Sequence, residues 1–457
     1  MKRYAEHEPM ARMVPACAGQ PKMVLSVVVT APDIHRTIDA VWRIESPRLI
    51  AGLTRIVRDV GLAEDLAQDA LVAALEQWPE SGVPDNPGAW LMATAKHRAM
   101  DHFRRNTRLQ RKHEELGREL GAKEMAVPDL DSALDDNVGD DLLRLLFISC
   151  HPLLSSEAQV ALTLRLLGGL TTDEIARAFL LPEPTIAQRI VRSKRTLSER
   201  HVPFEVPRGD ELVARLSSVL AVIYLIFNEG YSATTGDDWM RPALCEEALR
   251  LGRILAELAP QEPEVHGLVA LMEIQASRSR ARVGPSGEPI LLLDQNRSHW
   301  DHLLVRRGLA ALERAEKGRA EKLRTEQRDA AGGWYLVQAE IAACHARART
   351  PEETDWHQIA TLYAELAQIA PSPIVELNRA VAVAMAFGPS AGLELVDALT
   401  TERSLEKYHL LPSVRGDLLK KLGRLDEARA EFERAAALTR NARERDLLIE
   451  RARACLA

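Results

Sequence analysis

The sequence predicts an all-α protein made of several helical domains, and three observations support this. The 457 residues are two to three times the usual size of one domain, so several cores are expected. Apolar residues make up 46% of the chain but aromatic residues only 4%, a balance typical of helical proteins rich in Ala, Leu, Arg and Glu. Apolar positions recur at helical spacing between clusters of Pro and Gly.

Residues 1–30 show no helical period and contain several prolines, which predicts a disordered leader or a misassigned start with Met23 as the initiator. The apolar run from Met23 to Val29 is too short to span a membrane. Lys22 precedes it as in a weak signal peptide, but no convincing cleavage pattern follows. We therefore expect no membrane partner.

The residue types that commonly form catalytic or metal sites are scattered along the sequence. Five cysteines form no CxxC pair and no cluster with histidines or acids, which predicts reduced, mostly buried thiols in a cytoplasmic protein. No phosphate loop, metal signature or nucleophile elbow occurs, so we expect no enzyme, no metal and no cofactor. The net charge of −7 argues against uniform coating of nucleic acid, so any nucleic-acid site must be a local basic face.

Residues 31–113 are predicted to form a first helical domain, interrupted by breakers around Gly61 and across 79–88. Between these breakers, helical spacing places one narrow polar stripe on an otherwise apolar helix. Leu71 and Leu75 are assigned to the apolar side. Such a stripe faces either water or a partner, and its members are Asp65, Gln68, Asp69, Val72 and Glu76.

A second segment of this domain, from Pro87 to Asn106, interleaves basic and aromatic residues. Such a surface can follow a phosphate backbone with Lys and Arg while rings stack on unpaired bases. The alternative is that Trp90 and Phe103 are simply buried. The candidate contacts are Trp90, Lys96, His97, Arg98, His102, Arg104, Arg105 and Asn106.

Residues 114–140 are rich in Asp and predict an acidic linker. Residues 141–204 then predict a helix-turn-helix domain: Thr171 to Phe179 is a capped helix, and Pro184 opens a second helix after a short turn at Leu180. Ile186, Ile190, Val191 and Leu197 are expected to face the core. The candidate DNA contacts on the second helix are Thr185, Gln188, Arg189, Arg192, Lys194 and Arg195.

Two ordered motifs, Asp65 to Ala70 and Pro87 to Arg105, closely resemble the second-region domain of extracytoplasmic-function sigma factors. The resemblance implies that Asp65, Gln68, Asp69 and Glu76 grip core RNA polymerase. It further implies that the segment Trp90 to Asn106 melts and reads the minus-ten element of promoter DNA, and that residues 141–204 are the fourth-region domain for the minus-thirty-five element.

Residues 205–457 extend well beyond the common form of that family. The stretch from Tyr408 to Ala436 approximates one tetratricopeptide repeat, a helix, a turn at Gly423 and a second helix. A stack of such pairs either binds a protein partner or forms a scaffold against a neighbouring domain of the chain. The whole resembles the sigma-factor subgroup with a tetratricopeptide-like extension, which implies a regulatory role for this part.

Two polar clusters, 227–231 and 294–301, pair no nucleophile with a base, and we expect them to make helix-end hydrogen bonds or contact the DNA-binding half. Two other interpretations of the chain remain open. One is a helix-turn-helix regulator with a repeat-type sensor that binds duplex operators without polymerase. The other is a tetratricopeptide adaptor whose basic helices are incidental.

Overall fold

A computed structural model of the chain describes residues 31–116, 138–179, 181–233, 239–285, 287–325 and 333–456. In these ranges there are eighteen α-helices, five short 3-10 helices and one isolated β-bridge, and no strand, so the predicted all-α class is confirmed. None of the helices there is long and apolar enough to cross a membrane. The predicted leader 1–30, most of the predicted linker and the turn residue Leu180 lie outside the described residues.

The N-terminal domain is a bundle of three helices. Asp59 caps the second helix, because its Oδ1 accepts a hydrogen bond from the Leu62 backbone N–H at 2.8 Å. Trp78 is buried in the bundle and meets the Trp90 ring edge-on at 5.3 Å between centroids. The helices are α1 (Ala31–Val57), α2 (Val60–Ser81) and α3 (Pro87–Leu116).

The helix-turn-helix domain follows with four helices: α4 (Val138–Ser149), α5 (Ser156–Leu166), α6 (Thr172–Phe179) and α7 (Glu183–Glu199). A capping box starts α6, since Thr171 Oγ1 accepts from the Glu174 N–H at 3.1 Å and Glu174 Oε2 accepts from the Thr171 N–H at 2.8 Å. Pro184 lies in the first turn of α7, where its missing N–H costs no helical hydrogen bond.

Eleven helices in the described residues make up the C-terminal extension. The predicted helix pair around Gly423 is present, and Gly423 has φ +75° in the turn between its two helices. Gly416 permits close packing, because a Cβ there would lie 2.9 Å from the Phe432 ring. The helices are α8 (Asp210–Tyr231), α9 (Pro242–Leu258), α10 (Pro263–Ser277), α11 (His302–Thr325), α12 (Trp334–Arg347), α13 (Trp356–Ile369), α14 (Pro373–Phe387), α15 (Pro389–Leu399), α16 (Leu410–Lys421), α17 (Leu425–Leu438) and α18 (Ala442–Arg453).

Buried apolar side chains form one continuous cluster from Ile38 to Ala343. This cluster includes α1–α3, α4–α7 and the first helices of the extension. Two separate clusters fill the remainder, one from Val337 to Ala382 and one from Leu377 to Cys455. The N-terminal domain, the helix-turn-helix domain and the first half of the extension therefore share a core.

Candidate nucleic-acid interface

The polar stripe on α2 lies at the surface. Asp65, Asp69 and Glu76 are exposed, and Gln68 is half-buried and donates a 2.6 Å hydrogen bond to Glu64 Oε1. Val72 is exposed beside them, as the spacing predicts. Leu75, which was expected on the packed side, is also exposed, so the stripe is a mixed acidic and apolar surface.

The basic segment falls on α3. His97, Arg98, Arg104 and Arg105 are exposed, and Lys96 and His102 are half-buried on the same helix. Trp90 is half-buried against Trp78, and Phe103 is half-buried too; both rings pack against the core and keep part of their surface exposed. Asn106 lies in α3, but its side chain is outside the described residues.

On α7, Gln188, Arg192 and Arg195 are exposed and lie at positions i, i+4 and i+7 of one face. Arg195 Nε donates to Glu199 Oε1 at 2.6 Å. Thr185 and Arg189 are half-buried. Val191 was expected in the core but is 62% exposed, because it lies next to this exposed face while Ile186, Ile190 and Leu197 fill the opposite one.

Lys194 of α7 is paired with acidic residues of α2. Its Nζ lies 2.8 Å from Glu64 Oε2 and 3.6 Å from Asp65 Oδ1, both on α2. Arg165 of α5 reaches the same carboxylate, with Nε 2.7 Å from Glu64 Oε1. A residue predicted to bind polymerase and a residue predicted to bind DNA therefore touch each other.

The Glu64 carboxylate is the centre of this contact, with only 2% of the residue exposed. Burial by itself would raise its pKa, but the charges of Lys194 and Arg165 outweigh burial and hold the pKa of Glu64 below its usual range. Asp59 extends the contact, because its Oδ2 accepts a 2.6 Å hydrogen bond from Ser198 Oγ on α7. Sequence reasoning missed Glu64, Asp59 and Arg165.

The N-terminal and helix-turn-helix domains also meet along α1. Arg55 Nε lies 3.1 Å from Asp141 Oδ2, at the start of α4, and Arg43 donates to Glu174 at 2.5 Å. Asp141 is buried there, and the burial raises the pKa of its carboxyl although Arg55 and Arg144 oppose the rise. The first residue of the predicted helix-turn-helix domain thus takes part in an interdomain contact.

The extension contacts the helix-turn-helix domain through side chains that donate to backbone carbonyls. Arg215 donates to the Phe147 carbonyl at 2.7 Å and Ser218 to the Cys150 carbonyl at 3.0 Å. Two more arginines of the extension reach the ends of α5 and α6 in the same way, Arg250 at the Leu167 carbonyl and Arg241 at the Ala178 carbonyl.

The two polar clusters behave as predicted. In the first, Glu229 pairs with Arg241, which reaches into the DNA-binding half. In the second, Asp301 Oδ1 caps the first turn of α11, accepting from Leu303 N–H at 2.9 Å, and Arg297 donates to the His345 carbonyl at 2.9 Å. The predicted helix-end bonds and interdomain contact are confirmed.

Four cysteines are described and none forms a disulfide: Cys150, Cys245 and Cys455 are buried, and Cys344 is half-buried. Burial raises the pKa of the Cys150 thiol to about 11 and that of Cys245 to about 12. These two side chains are therefore protonated in the physiological range and behave as core residues. Cys17 lies outside the described residues.

Comparison with known proteins assigns the domains. The chain matches Sigma-70 region 2 over residues 42–109, Sigma-70, region 4 over residues 144–197, and a family of unknown function (DUF6596) over residues 215–316. An uncharacterized protein of Rhizobium meliloti is 43% identical over 400 residues, which are 87% of this chain and 91% of the relative.

A protein of Mycobacterium tuberculosis named probable ECF RNA polymerase sigma factor SigI is 27% identical over 183 residues. The match covers 40% of this chain and 61% of that protein. Region 2 corresponds to α1–α3, region 4 to α4–α7, and the family of unknown function begins within α8. The chain belongs to the extracytoplasmic-function type of sigma-70 factors, as a member with a long C-terminal extension.

Proposed function

We propose that this sigma factor binds core RNA polymerase through the exposed stripe of α2 and directs initiation at promoters read by α3 and α7. The observation that carries the proposal is the pair of differently built helices. The first, α3, presents exposed basic side chains beside partly exposed rings, which suits an unpaired strand. The other, α7, is the second helix of a helix-turn-helix unit and presents Gln188 and Arg192, which suits base edges in a major groove.

The extension is proposed to regulate these activities as a tetratricopeptide-like repeat. Its support is the set of hydrogen bonds from Arg215, Ser218, Arg241 and Arg250 to region 4 carbonyls. A change in the extension would be transmitted to region 4 through these side chains.

The test of polymerase binding is a double substitution, Asp65→Ala with Asp69→Ala, measured as affinity for purified core enzyme. We expect weaker binding, because two exposed carboxylates of the stripe are lost while the buried side of α2 is unchanged. Asp69→Ala alone is the cleaner probe, since Asp65 also lies near Lys194. The matched control is the double substitution Asp446→Ala with Glu450→Ala, because these two acidic residues of α18 have the same spacing as Asp65 and Asp69.

Promoter reading is tested with Gln188→Ala and Arg192→Ala in reconstituted initiation. Each base contact is worth about 1–3 kcal/mol, so we expect initiation at promoters with an upstream element to fall roughly 5- to 150-fold. Failure of the folded wild-type chain both to bind core enzyme and to direct initiation would overturn the proposal. Specific duplex binding that needs no core enzyme would point instead to a free-standing regulator.

A further inference from the structure

The two polar clusters of the extension, 227–231 and 294–301, meet at one arginine. Arg278 follows the last residue of α10 and donates a 2.7 Å hydrogen bond to the hydroxyl of Tyr231, in the first cluster. Its Cζ lies 5.8 Å from the ring centroid of Trp300, in the second cluster. We infer that this junction binds a phosphate group, either as inorganic phosphate or on a small phosphorylated molecule. The site is separate from the surfaces proposed to bind polymerase and promoter DNA.

Three arginines lie over aromatic rings in this junction. The Cζ of Arg297 is 5.2 Å from the centroid of the Trp300 ring, which Arg278 also approaches. The Cζ of Arg282 is 3.6 Å from the centroid of the Tyr231 ring. Arg282 and Arg297 are buried, with 7% and 9% of each residue exposed, and Arg278 is half-buried. The faces of these rings attract the guanidinium groups but do not cancel their charge.

The hydrogen-bond partners of these arginines are neutral. They are the Tyr231 hydroxyl, the Thr354 hydroxyl and backbone carbonyls such as those of Tyr231 and His345. In the part of the chain that the structure describes, none of the three guanidinium groups forms an ion pair with a carboxylate. Glu352 and Glu353 are exposed, and their charges act on the second cluster from beyond ion-pair distance.

Unpaired positive charge is unfavourable in this buried setting. Burial lowers the pKa of Arg282 and of Arg297, and the nearby charge of Arg278 lowers both further. Arginine nevertheless keeps its proton in proteins, so the charge remains. His345 avoids the problem because burial and the charges of Arg278 and Arg297 lower its pKa to about 4, which leaves it neutral near pH 7. The junction therefore needs a counter-ion, and water would supply acceptors but no negative charge.

The same side chains carry N–H groups that have no acceptor. These groups are Nε of Arg278, Nε of Arg297 and Nε1 of Trp300. Trp300 is only 5% exposed, and a buried donor without an acceptor is unfavourable. All three groups are donors, and the two guanidinium groups approach the Trp300 ring. An oxyanion offers several acceptor oxygens together with the missing negative charge.

The charge of the junction favours phosphate over a carboxylate. Arg278 and Arg297 together carry two positive charges, which a phosphate monoester of about −1.5 to −2 near pH 7 balances and a single carboxylate does not. The planar guanidinium fork also matches the spacing of phosphate oxygens. A nucleic-acid backbone does not fit, because Arg297 and Trp300 are buried. The half-buried Arg278 and Tyr231 are the members that a small molecule can reach.

Phosphate binding by the full chain tests the inference. Isothermal titration with inorganic phosphate in a buffer of low chloride concentration should show saturable binding at one site. In Arg278→Gln we expect binding at least about tenfold weaker, because charge-assisted hydrogen bonds are lost. The matched control is Arg379→Gln, which removes a half-buried arginine of the extension that is paired with Glu376 and should leave the affinity for phosphate unchanged.

A second measurement covers the case in which Arg278→Gln does not fold. Phosphate should raise the unfolding temperature of the wild-type chain above that in chloride of equal ionic strength, because the anion binds the folded state. Arg278→Lys keeps the positive charge but not the planar fork, so the increase should be smaller in this variant. An equal increase in the wild type and in Arg278→Lys would contradict the assignment of phosphate to Arg278.

The source of the phosphate group is identified by titrating adenosine monophosphate beside inorganic phosphate. Tighter binding of the nucleotide supports a phosphorylated molecule as the ligand, and tighter binding of inorganic phosphate supports the ion itself. If the folded wild-type chain binds neither, or if Arg278→Gln binds phosphate as tightly as the wild type, the inference is refuted and water satisfies the buried donors. The proposed function is tested separately, by binding to core enzyme and by initiation, and survives either result.

Discussion

Regions 2 and 4 present the helices that we propose to contact DNA in contrasting ways. In region 2, α3 carries Arg98, Arg104 and Arg105 on an exposed face. In region 4, α7 has one open face, but its flank is covered by α2 through Lys194, and its domain is bonded to the extension. The helix proposed to read single strands is therefore exposed, whereas the helix proposed to read duplex DNA is covered along one flank and belongs to a domain bonded to the extension.

The difference lies in how region 4 completes its helices. A helix ends with carbonyl groups that have no partner within the helix, and positive charge is favourable there. In region 4, arginines of the extension supply these partners at the ends of α4, α5 and α6, at the carbonyls of Phe147, Leu167 and Ala178. The extension thus completes the helix ends of region 4, so we expect the stability of region 4 to depend on the extension more than that of region 2 does.

The largest expected effect comes from Val222→Asp. Val222 is 1% exposed on α8, one turn beyond Ser218 and on the same stripe as Arg215. An unpaired carboxylate there should destabilise the fold by at least about 3 kcal/mol. Hydrogen exchange should show lost protection in α4–α9, with α2 and α3 affected much less.

The control for Val222→Asp is Leu303→Asp, at an exposed position in the first turn of α11. It introduces the same charge with an effect within about 0.5 kcal/mol. Equal loss of protection in α3 and α7 after Val222→Asp would show that region 2 depends on the extension as much as region 4 does, and the contrast between the regions would be wrong.

Helix ends that depend on neighbouring residues could be predicted from the sequence. Contacts between residues far apart in the sequence could not. The capping box of Thr171 and Glu174 and the opening of α7 at Pro184 depend on neighbouring residues, so both were predictable. The pairing of Glu64 with Arg165 and Lys194 joins residues more than a hundred positions apart, and no periodic pattern in the sequence indicates it. Val191 was misassigned because helical spacing separates apolar from polar faces but does not say how wide the packed face is.

A pH change offers a second way to compare the regions. Burial, then the nearby charges of Arg278 and Arg297, lowers the pKa of His345 in the extension from 6.5 to about 4. The unfolded chain therefore binds a proton in this range that the folded chain does not, and stability is full above pH 6.5 and falls as the pH drops toward 4. Between pH 7 and pH 5 the loss should be about 2 kcal/mol.

Urea unfolding at several pH values, followed by hydrogen exchange, measures this effect. We expect α12 and the helices packed on it to lose stability on acidification before α3 does. His345→Gln should flatten the dependence between pH 5 and 7 whatever it does to overall stability. A wild-type extension whose free energy of unfolding stays constant over this range would contradict the prediction.

The smallest expected effect is on the salt dependence of DNA binding. It distinguishes α3, which we propose to bind single-stranded DNA, from α7, which we propose to bind duplex DNA. Each phosphate contact contributes about 0.7 to the slope of log affinity against log salt for single strands and about 0.9 for duplex. Arg104→Ala or Arg105→Ala in the sigma–core complex should lower the slope for a minus-ten single strand by about 0.7 each. Neither should change the slope for minus-thirty-five duplex.

The matched control is Arg429→Ala on α17, which removes one partly exposed arginine from the extension and should leave both slopes unchanged. Because Lys194 is paired with the buried Glu64 carboxylate, Lys194→Met should change the duplex slope only where Glu64→Gln has released the lysine. A slope that responds to Lys194→Met equally in the free wild-type chain would mean that this lysine already faces phosphates, and that α7 is as open as α3.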